Sequence, residues 1–433
     1  MSAAPADFER ATYRKVTGRL IPFLFLCYVL AYLDRVNVGF AKLQMQHDLG
    51  LSEVVYGIGA GIFFIGYFLF EVPSNLLLQR LGARFWIARI MIVWGLVSTA
   101  MVFTRGPVSF YALRFVLGLA EAGFFPGVIL YLTFWYTRAH RARMVAAFMT
   151  AIALSGLVGG PVSGWILGRL DGLGGYRGWQ WLFLLEGLPS VLVGVLVFFR
   201  LDDGPRAARW LSEPERALLL ERLAEEERLK KASGEERHSF GDAFRSGRVW
   251  LLSAVYFGVI MGLYGISFWL PQILEDTLTR DPWKIGLLSA IPWGTAALVM
   301  VLAGHHSDKT GERRWHVAAP ALAGALGLAA SSLPGLDGIT GLVALTLATC
   351  GVMAAIACFW SLPTAILSGT AAAAGIAWIN SVGNLAGYAS PFLVGVIRDT
   401  TGATGPALFA LAASLLLAGL LVLGVAPPPR SPA

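Results

Sequence analysis

Residues 20–41, LIPFLFLCYVLAYLDRVNVGFA, form an apolar run long enough to cross a bilayer, yet Asp34 and Arg35 stand side by side within it. A spanning helix takes about 20 apolar residues, and an ionisable residue at its centre costs roughly 2.5–3.5 kcal/mol on insertion scales. Two adjacent charges there are directed away from lipid, into a helix bundle or a water-filled cavity, where each needs a partner or a ligand. The rest of the chain must therefore place other charged and polar groups opposite this pair.

Composition sets the class. Hydrophobic residues make up 56% of the chain and charged residues 14%, against roughly 25% charged in soluble domains. A soluble globular protein and a disordered one are both excluded. The net charge of +7 would suit nucleic acid, but the positions of the charges point instead to membrane topology, so no nucleic-acid partner is expected. Cys27, Cys350 and Cys358 all fall in apolar segments, there is no CxxC, and the histidines form no zinc set. Neither metal nor cofactor is expected. The polar first segment has no signal-peptide core, so the first span itself is expected to target the chain to the membrane.

Hydropathy gives twelve candidate spans, at roughly 20–41, 55–78, 86–104, 109–134, 143–169, 181–199, 250–273, 285–304, 315–334, 339–367, 371–397 and 404–425. A long polar segment, 200–248, separates the sixth from the seventh, and its charge run (SEPERALLLERLAEEERLKKASGEERH) reads as a solvated amphipathic helix and linker. The expected organisation is a half at 1–199, a cytoplasmic linker at 200–248 and a second half at 249–433. Lysine and arginine are denser in the segments that lie inside when both termini are cytoplasmic, which sets the orientation.

The two halves repeat. QRLGARFW (79–86) follows the second span as DKTGERRW (308–315) follows the eighth. GLVGGPVSG (156–164) and NLAGYASPFLVG (384–395) recur at almost the same separation, with Pro161 matching Pro391. Duplicated halves mark a transporter fold with its site near the midplane between them. In the fourth span, Arg114 and Glu121 are two helical turns apart, on one face and about 10 Å apart along the axis. A structural ion-pair network is one reading of these charges. The other is a coupled site: Asp34, Arg35, Arg114 and Glu121 sum to zero, and protonating both carboxylates would leave a cavity that attracts an anion. Substrate occupying an arginine would favour protonation of that arginine's former partner, which is coupling by linkage.

The loop GHHSDKTGERR (304–314) resembles the loop motif of the major facilitator superfamily, with Gln79 replacing the acidic residue in the first-half copy. Asp308, Arg313 and Arg314 of that loop are the expected gating and structural residues, with Gly160 and Pro161 of the fifth span. YLDRVNVGFA (32–41), FEVPSNLLLQRLGAR (70–84), RFVLGLAEAGFFPGVILYLTFWY (114–136) and FLLEGLPS (183–190) resemble the anion:cation symporter family in order and spacing. The resemblance implies an all-α membrane protein of twelve transmembrane helices in two six-helix halves. It also implies proton-driven uptake of a carboxylate such as a sugar acid, tartrate or an aromatic acid, in a bacterial inner membrane, by a monomer. Carried onto this chain, it makes Asp34 and Glu121 the proton sites, Arg35 the main carboxylate ligand, and Tyr32 and Tyr67 substrate-facing; Arg114 is expected in the same substrate site, as the partner that tunes Glu121. Because arginine's planar fork binds carboxylate bidentately and stays charged, Arg35 suits that role.

Further candidates to line the site are Tyr264, Trp360, Ser361, Thr364, Asn380 and Asn384. Each has an ordinary alternative, since aromatics anchor interfaces and hydroxyls bond their own helix backbone. Glu71 and Glu186 sit near helix ends, where caps or interhelical bonds are the simpler expectation. An anion exchanger or facilitator on the same fold is the rival mechanism. An enzyme is disfavoured, because the spans show no nucleophile–base set and no phosphate loop, and the connector is too short for a sensor's output domain.

Overall fold

The computed structural model describes residues 6–232, 245–366 and 369–425, and among them every regular element is helical. Among the described residues, ten helices are long and apolar enough to cross a membrane, from Asp7–Asp48 to Gly405–Gly424. The other two expected spans are the shorter apolar helix Trp315–Ser331 and the long helix Gly369–Thr401. All twelve predicted spans therefore have a helix. Several breaks within them were not foreseen. The fourth span is two helices, Pro107–Glu121 and Phe124–Thr133. At the break Ala122 turns extended and Gly123 takes a left-handed φ of +85°, a conformation that suits glycine. A Cβ there would also meet Ser74 Oγ at 2.2 Å. The break falls directly after Glu121. The tenth span likewise divides at Trp360, into Gly338–Phe359 and Ser361–Ile366.

The connector is less solvated than its charge suggests. Its helix, Glu213–Ala232, is tied to the first half by Lys15–Glu215 at 2.7 Å and Arg222–Glu9 at 2.8 Å. Trp210 stacks on Trp135, with centroids 5.7 Å apart, and lies under Arg19. In the second-half loop, Asp308 pairs with Arg313 at 2.6 Å. Arg314 donates to the carbonyls of Leu423 and Val425 at 3.2 and 3.0 Å, which fastens the loop to the end of the last span.

Two helix pairs join the halves, and glycine lets each pair close. The second span meets the eleventh where a Cβ on Gly57 would lie 2.4 Å from the Pro391 carbonyl oxygen. The fifth meets the eighth where a Cβ on Gly164 would lie 2.4 Å from the Pro282 oxygen. Gly160 belongs to this second contact, its Cβ position 2.8 Å from the Gly286 oxygen, and Pro161 lies within the same helix. Small residues that let backbones approach are the usual means of helix association in a bilayer, where lipid is as apolar as leucine.

At the end of the bundle away from the N-terminus, charges close the same seam. Lys42, fully buried, pairs with Glu53 at 2.9 Å and donates to Gln272 across the seam at 2.8 Å. It also sits 4.3 Å from the ring centre of Trp269. Arg398 bridges Glu53 at 3.3 Å and Asp276 at 2.9 Å, and Asp399 accepts from the backbone N–H groups of Glu53 and Val54 at 3.0 Å each. A buried ammonium is tolerated only when paired and hydrogen-bonded, and here half of its partners come from the opposite half. Gly57→Ala should lower the melting temperature in detergent and impair transport, because nothing at that contact can yield but backbone. Gly18→Ala, with open space around it, should leave the melting temperature unchanged or slightly raised.

Candidate functional site

Adjacent residues on a helix point about 100° apart, and this separates Asp34 from Arg35. Arg35 turns toward the fourth and seventh spans. Its Nε donates to Glu121 Oε1 at 3.1 Å, its Nη2 makes a second, closer contact with the same oxygen, and its Nη1 donates to the Tyr264 hydroxyl at 3.0 Å. One guanidinium is thus held by a carboxylate of the first half and a phenol of the second. Three aromatic rings, Tyr32, Phe63 and Tyr67, pack around it with centroids 5.3–6.0 Å away. Glu121 is fully buried, and its Oε2 has no hydrogen-bond partner.

Asp34 turns the other way, into its own half. Trp94 Nε1 and Ser190 Oγ donate to Oδ2 at 3.0 and 2.5 Å, and Ser98 Oγ donates to Oδ1 at 2.8 Å. The sequence reading grouped Asp34 with the Arg35 cavity; the structure places it between the first, third and sixth spans, in a pocket of neutral donors.

Arg114 also departs from its expected place. It is on the face of Glu121, but its guanidinium donates to backbone carbonyls: Gly59 at 3.2 Å, Ala60 at 3.0 Å and Arg35 at 3.4 Å. Its donors are committed to tying the fourth span to the second and first, so in this conformation it presents no free fork to a ligand. The remaining residues divide. Tyr32 reaches across the seam to Ser267 at 3.1 Å, and Tyr67 faces Arg35. Ser361 and Thr364 donate to carbonyls of their own segment, Cys358 at 2.6 Å and Trp360 at 3.0 Å, the helix back-bonding that sequence reasoning kept open. Trp360 packs edge-on against Tyr256 and Phe359.

Asn380 leads to a residue that the sequence reading set aside. Its amide donates to Glu71 Oε1 at 3.0 Å, across the seam from the eleventh span to the second, and Asn384 lies one turn further along the same helix face. Glu71 is buried, with Oε2 unpartnered. Glu71 is also four residues from Tyr67, hence on the same helix face as a ring that contacts Arg35. That spacing was the available signal. Lys42 was legible in the same way, two turns beyond Arg35 on a continuous helix.

Comparisons with known proteins establish the family. The chain belongs to the Major Facilitator Superfamily, whose sequence profile matches residues 24–391. It is 49% identical over 419 residues to an Agrobacterium vitis protein named "Putative tartrate transporter", covering 96% of this chain and 95% of that one. It is 41% identical to an Acinetobacter baumannii protein named "Quinolone resistance transporter", with 96% and 95% coverage. Among solved structures, the inward-open xylose transporter XylE from Escherichia coli superposes with a TM-score of 0.75 at 16% identity, over 95% of this chain and 96% of that one. That likeness concerns the fold. The superfamily and its named relatives are transporters, not enzymes, and the chain is a multi-pass membrane protein.

The Arg35–Glu121 pair makes a stability prediction of its own. Removing one partner of a buried pair strands the other charge, at a cost of about 3–5 kcal/mol. Arg35→Gln should therefore melt well below the wild type in detergent, and adding Glu121→Gln should recover most of the loss. A double variant no more stable than Arg35→Gln would show that the pair is not the source of the effect.

Proposed function

We propose that this transporter moves a small organic carboxylate together with protons into the cell, its halves (1–199 and 249–433) rocking about the Arg35 site while 200–248 acts as the linker. In this reading the chain works as a monomer with both termini in the cytoplasm, in the bacterial inner membrane, and needs no cofactor. The carrying observation is the bond set of Arg35: one buried guanidinium shared between Glu121 and Tyr264. An incoming carboxylate competes with Glu121 for the same fork. Once displaced, Glu121 is a fully buried carboxylate without a cation, and it takes up a proton rather than stay ionised. Substrate binding and protonation thereby favour each other, which is what a symporter requires. Because Arg35 is bonded to both halves, the exchange of Glu121 for substrate also changes what holds the halves together.

In this account Glu121 and Asp34 carry protons, Arg35 anchors the carboxylate, and Tyr32, Tyr67, Tyr264, Asn380 and Asn384 line the substrate's path. Arg114 keeps the fourth span in register, so that Glu121 meets Arg35. The name of the Agrobacterium vitis relative supports a carboxylate as the cargo. The name of the Acinetobacter baumannii relative favours a second reading, in which the same pair exchanges protons for an outgoing compound.

Two outcomes separate the readings. Under symport, Glu121→Gln should abolish accumulation driven by an inward proton gradient and leave substrate counterflow partly intact, measured with labelled carboxylate in liposomes. Wild-type accumulation should rise as the outside is made more acidic. Undiminished accumulation in Glu121→Gln would remove Glu121 from the mechanism, and export rather than uptake under the same gradient would favour exchange.

A further inference from the structure

Asp34 has a companion that the substrate mechanism does not use. Along the first span Asn37 lies three residues beyond Asp34, and along the sixth Glu186 lies four residues before Ser190, which donates to Asp34 at 2.5 Å. Each spacing is one turn on a shared helix face, so Glu186 stands beside Asn37 as Ser190 stands beside Asp34. Glu186 is 3% exposed and Asp34 0%. Ser163 Oγ donates to Glu186 Oε1 at 2.7 Å. Glu186 Oε2 and both side-chain polar atoms of Asn37 are buried with no partner. Asn37 and Ser163 also line a cavity that reaches Ser155, Ser267 and Ser289, at the seam between the first, fifth, seventh and eighth spans.

Two neighbouring buried carboxyls, one on the first span and one on the sixth, cannot both be ionised without a cation. Among the described residues neither has a basic side chain within ion-pair distance. The titratable and polar groups that face them are Glu121 from the fourth span, already paired with Arg35, and Trp94, Ser98, Ser163, Ser190 and Asn37. Asp34 receives three donors and is satisfied as an anion. Glu186 accepts one from Ser163, with Asn37 beside it, which leaves it the less satisfied of the two as an anion. Unpartnered buried polar atoms beside a cavity whose largely apolar lining includes four serines call for water.

We propose that Asp34 and Glu186 form a single proton-binding unit, loaded along the seam through Glu186, Asn37, Ser163 and water in the serine-lined cavity. This route does not pass the surface where substrate meets Arg35. Glu186 is the outer site and Asp34 the inner one. A proton arriving on Glu186 passes to Asp34 as the halves rearrange and leaves the unit ready for the next. This rests on the proton-coupled reading above, and it divides that coupling between two places: Glu121, which senses substrate, and the Asp34–Glu186 unit, which does not.

The test is the proton-to-carboxylate ratio, obtained from the reversal potential of labelled carboxylate flux in liposomes, for wild type, Glu186→Gln, Asp34→Asn and the double variant. The expected result is one proton fewer per carboxylate in each single variant and no further loss in the double, with counterflow in Glu186→Gln within about twofold of wild type. Glu186→Asp should restore the wild-type ratio. Glu186→Gln with the wild-type ratio, while Asp34→Asn lowers it, would overturn the proposal. If Glu186→Gln does not fold, infrared difference spectra of wild type and Glu186→Asp decide. A protonated carboxyl band that shifts with Glu186→Asp supports the proposal, and one that does not shift contradicts it. A wild type that carries carboxylate with no proton at all would defeat the symport reading itself, a result distinct from either of these.

Discussion

The fold depends on where one guanidinium is placed. Arg35 is buried among three aromatic rings in a membrane-spanning bundle, where an isolated charge would be prohibitive. Its hydrogen bonds to Glu121 and Tyr264 make it tolerable, and these partners come from different halves. The chain cannot satisfy Arg35 without bringing the fourth and seventh spans to the first. It does so while ending a helix immediately after Glu121, at a left-handed glycine. Arg114, spent on backbone carbonyls of the second and first spans, then holds the fourth span at the height where Glu121 reaches its partner.

The seam between halves carries a graded set of contacts. At the far end are the charges around Lys42, Glu53 and Arg398 with the backbone contacts of Gly57 and Gly164; at the middle, Tyr32 with Ser267 and Arg35 with Tyr264; on the other side, Glu71 with Asn380. The contacts at the far end are numerous and ionic, those at the middle few and hydrogen-bonded. A rocking motion that opens the far end has to separate Lys42 from Gln272 and Arg398 from Glu53 together, leaving Lys42 with Glu53 alone and Arg398 with Asp276 alone. The middle contacts can exchange partners with a ligand, one hydrogen bond at a time. Under the proposed symport, this difference would put the substrate-sensitive step at Arg35 and the structural barrier at Lys42.

Much of this was legible in the sequence, for identifiable reasons. Charges inside apolar runs such as 20–41 and 109–134 are so costly in lipid that each must find a buried partner, and the repeated DKTGERRW and QRLGARFW segments reveal the two halves. Spacing along one helix could place Arg114 and Glu121 on a common face, yet it could not say that Arg114 would find backbone carbonyls first. Nor could it reveal that Asp34 and Arg35, neighbours in sequence, serve different pockets, although the 100° step of a helix made some divergence inevitable. Glu71 and Glu186 were expected to cap a helix or bond to another, and each does bond between helices, to Asn380 and to Ser163. Which partner each finds was not visible, because those residues lie far away in the chain.

The account's central claim is that carboxylate and proton move together through the Arg35 site. The most direct measurement uses purified protein in liposomes holding a pH-sensitive dye, challenged in turn with sugar acids, tartrate, phthalate, hydroxyphenylacetate and neutral sugars. The account predicts internal acidification with at least one carboxylate and none with the neutral sugars. Entry of labelled carboxylate without any proton movement would leave the fold standing and contradict the coupling.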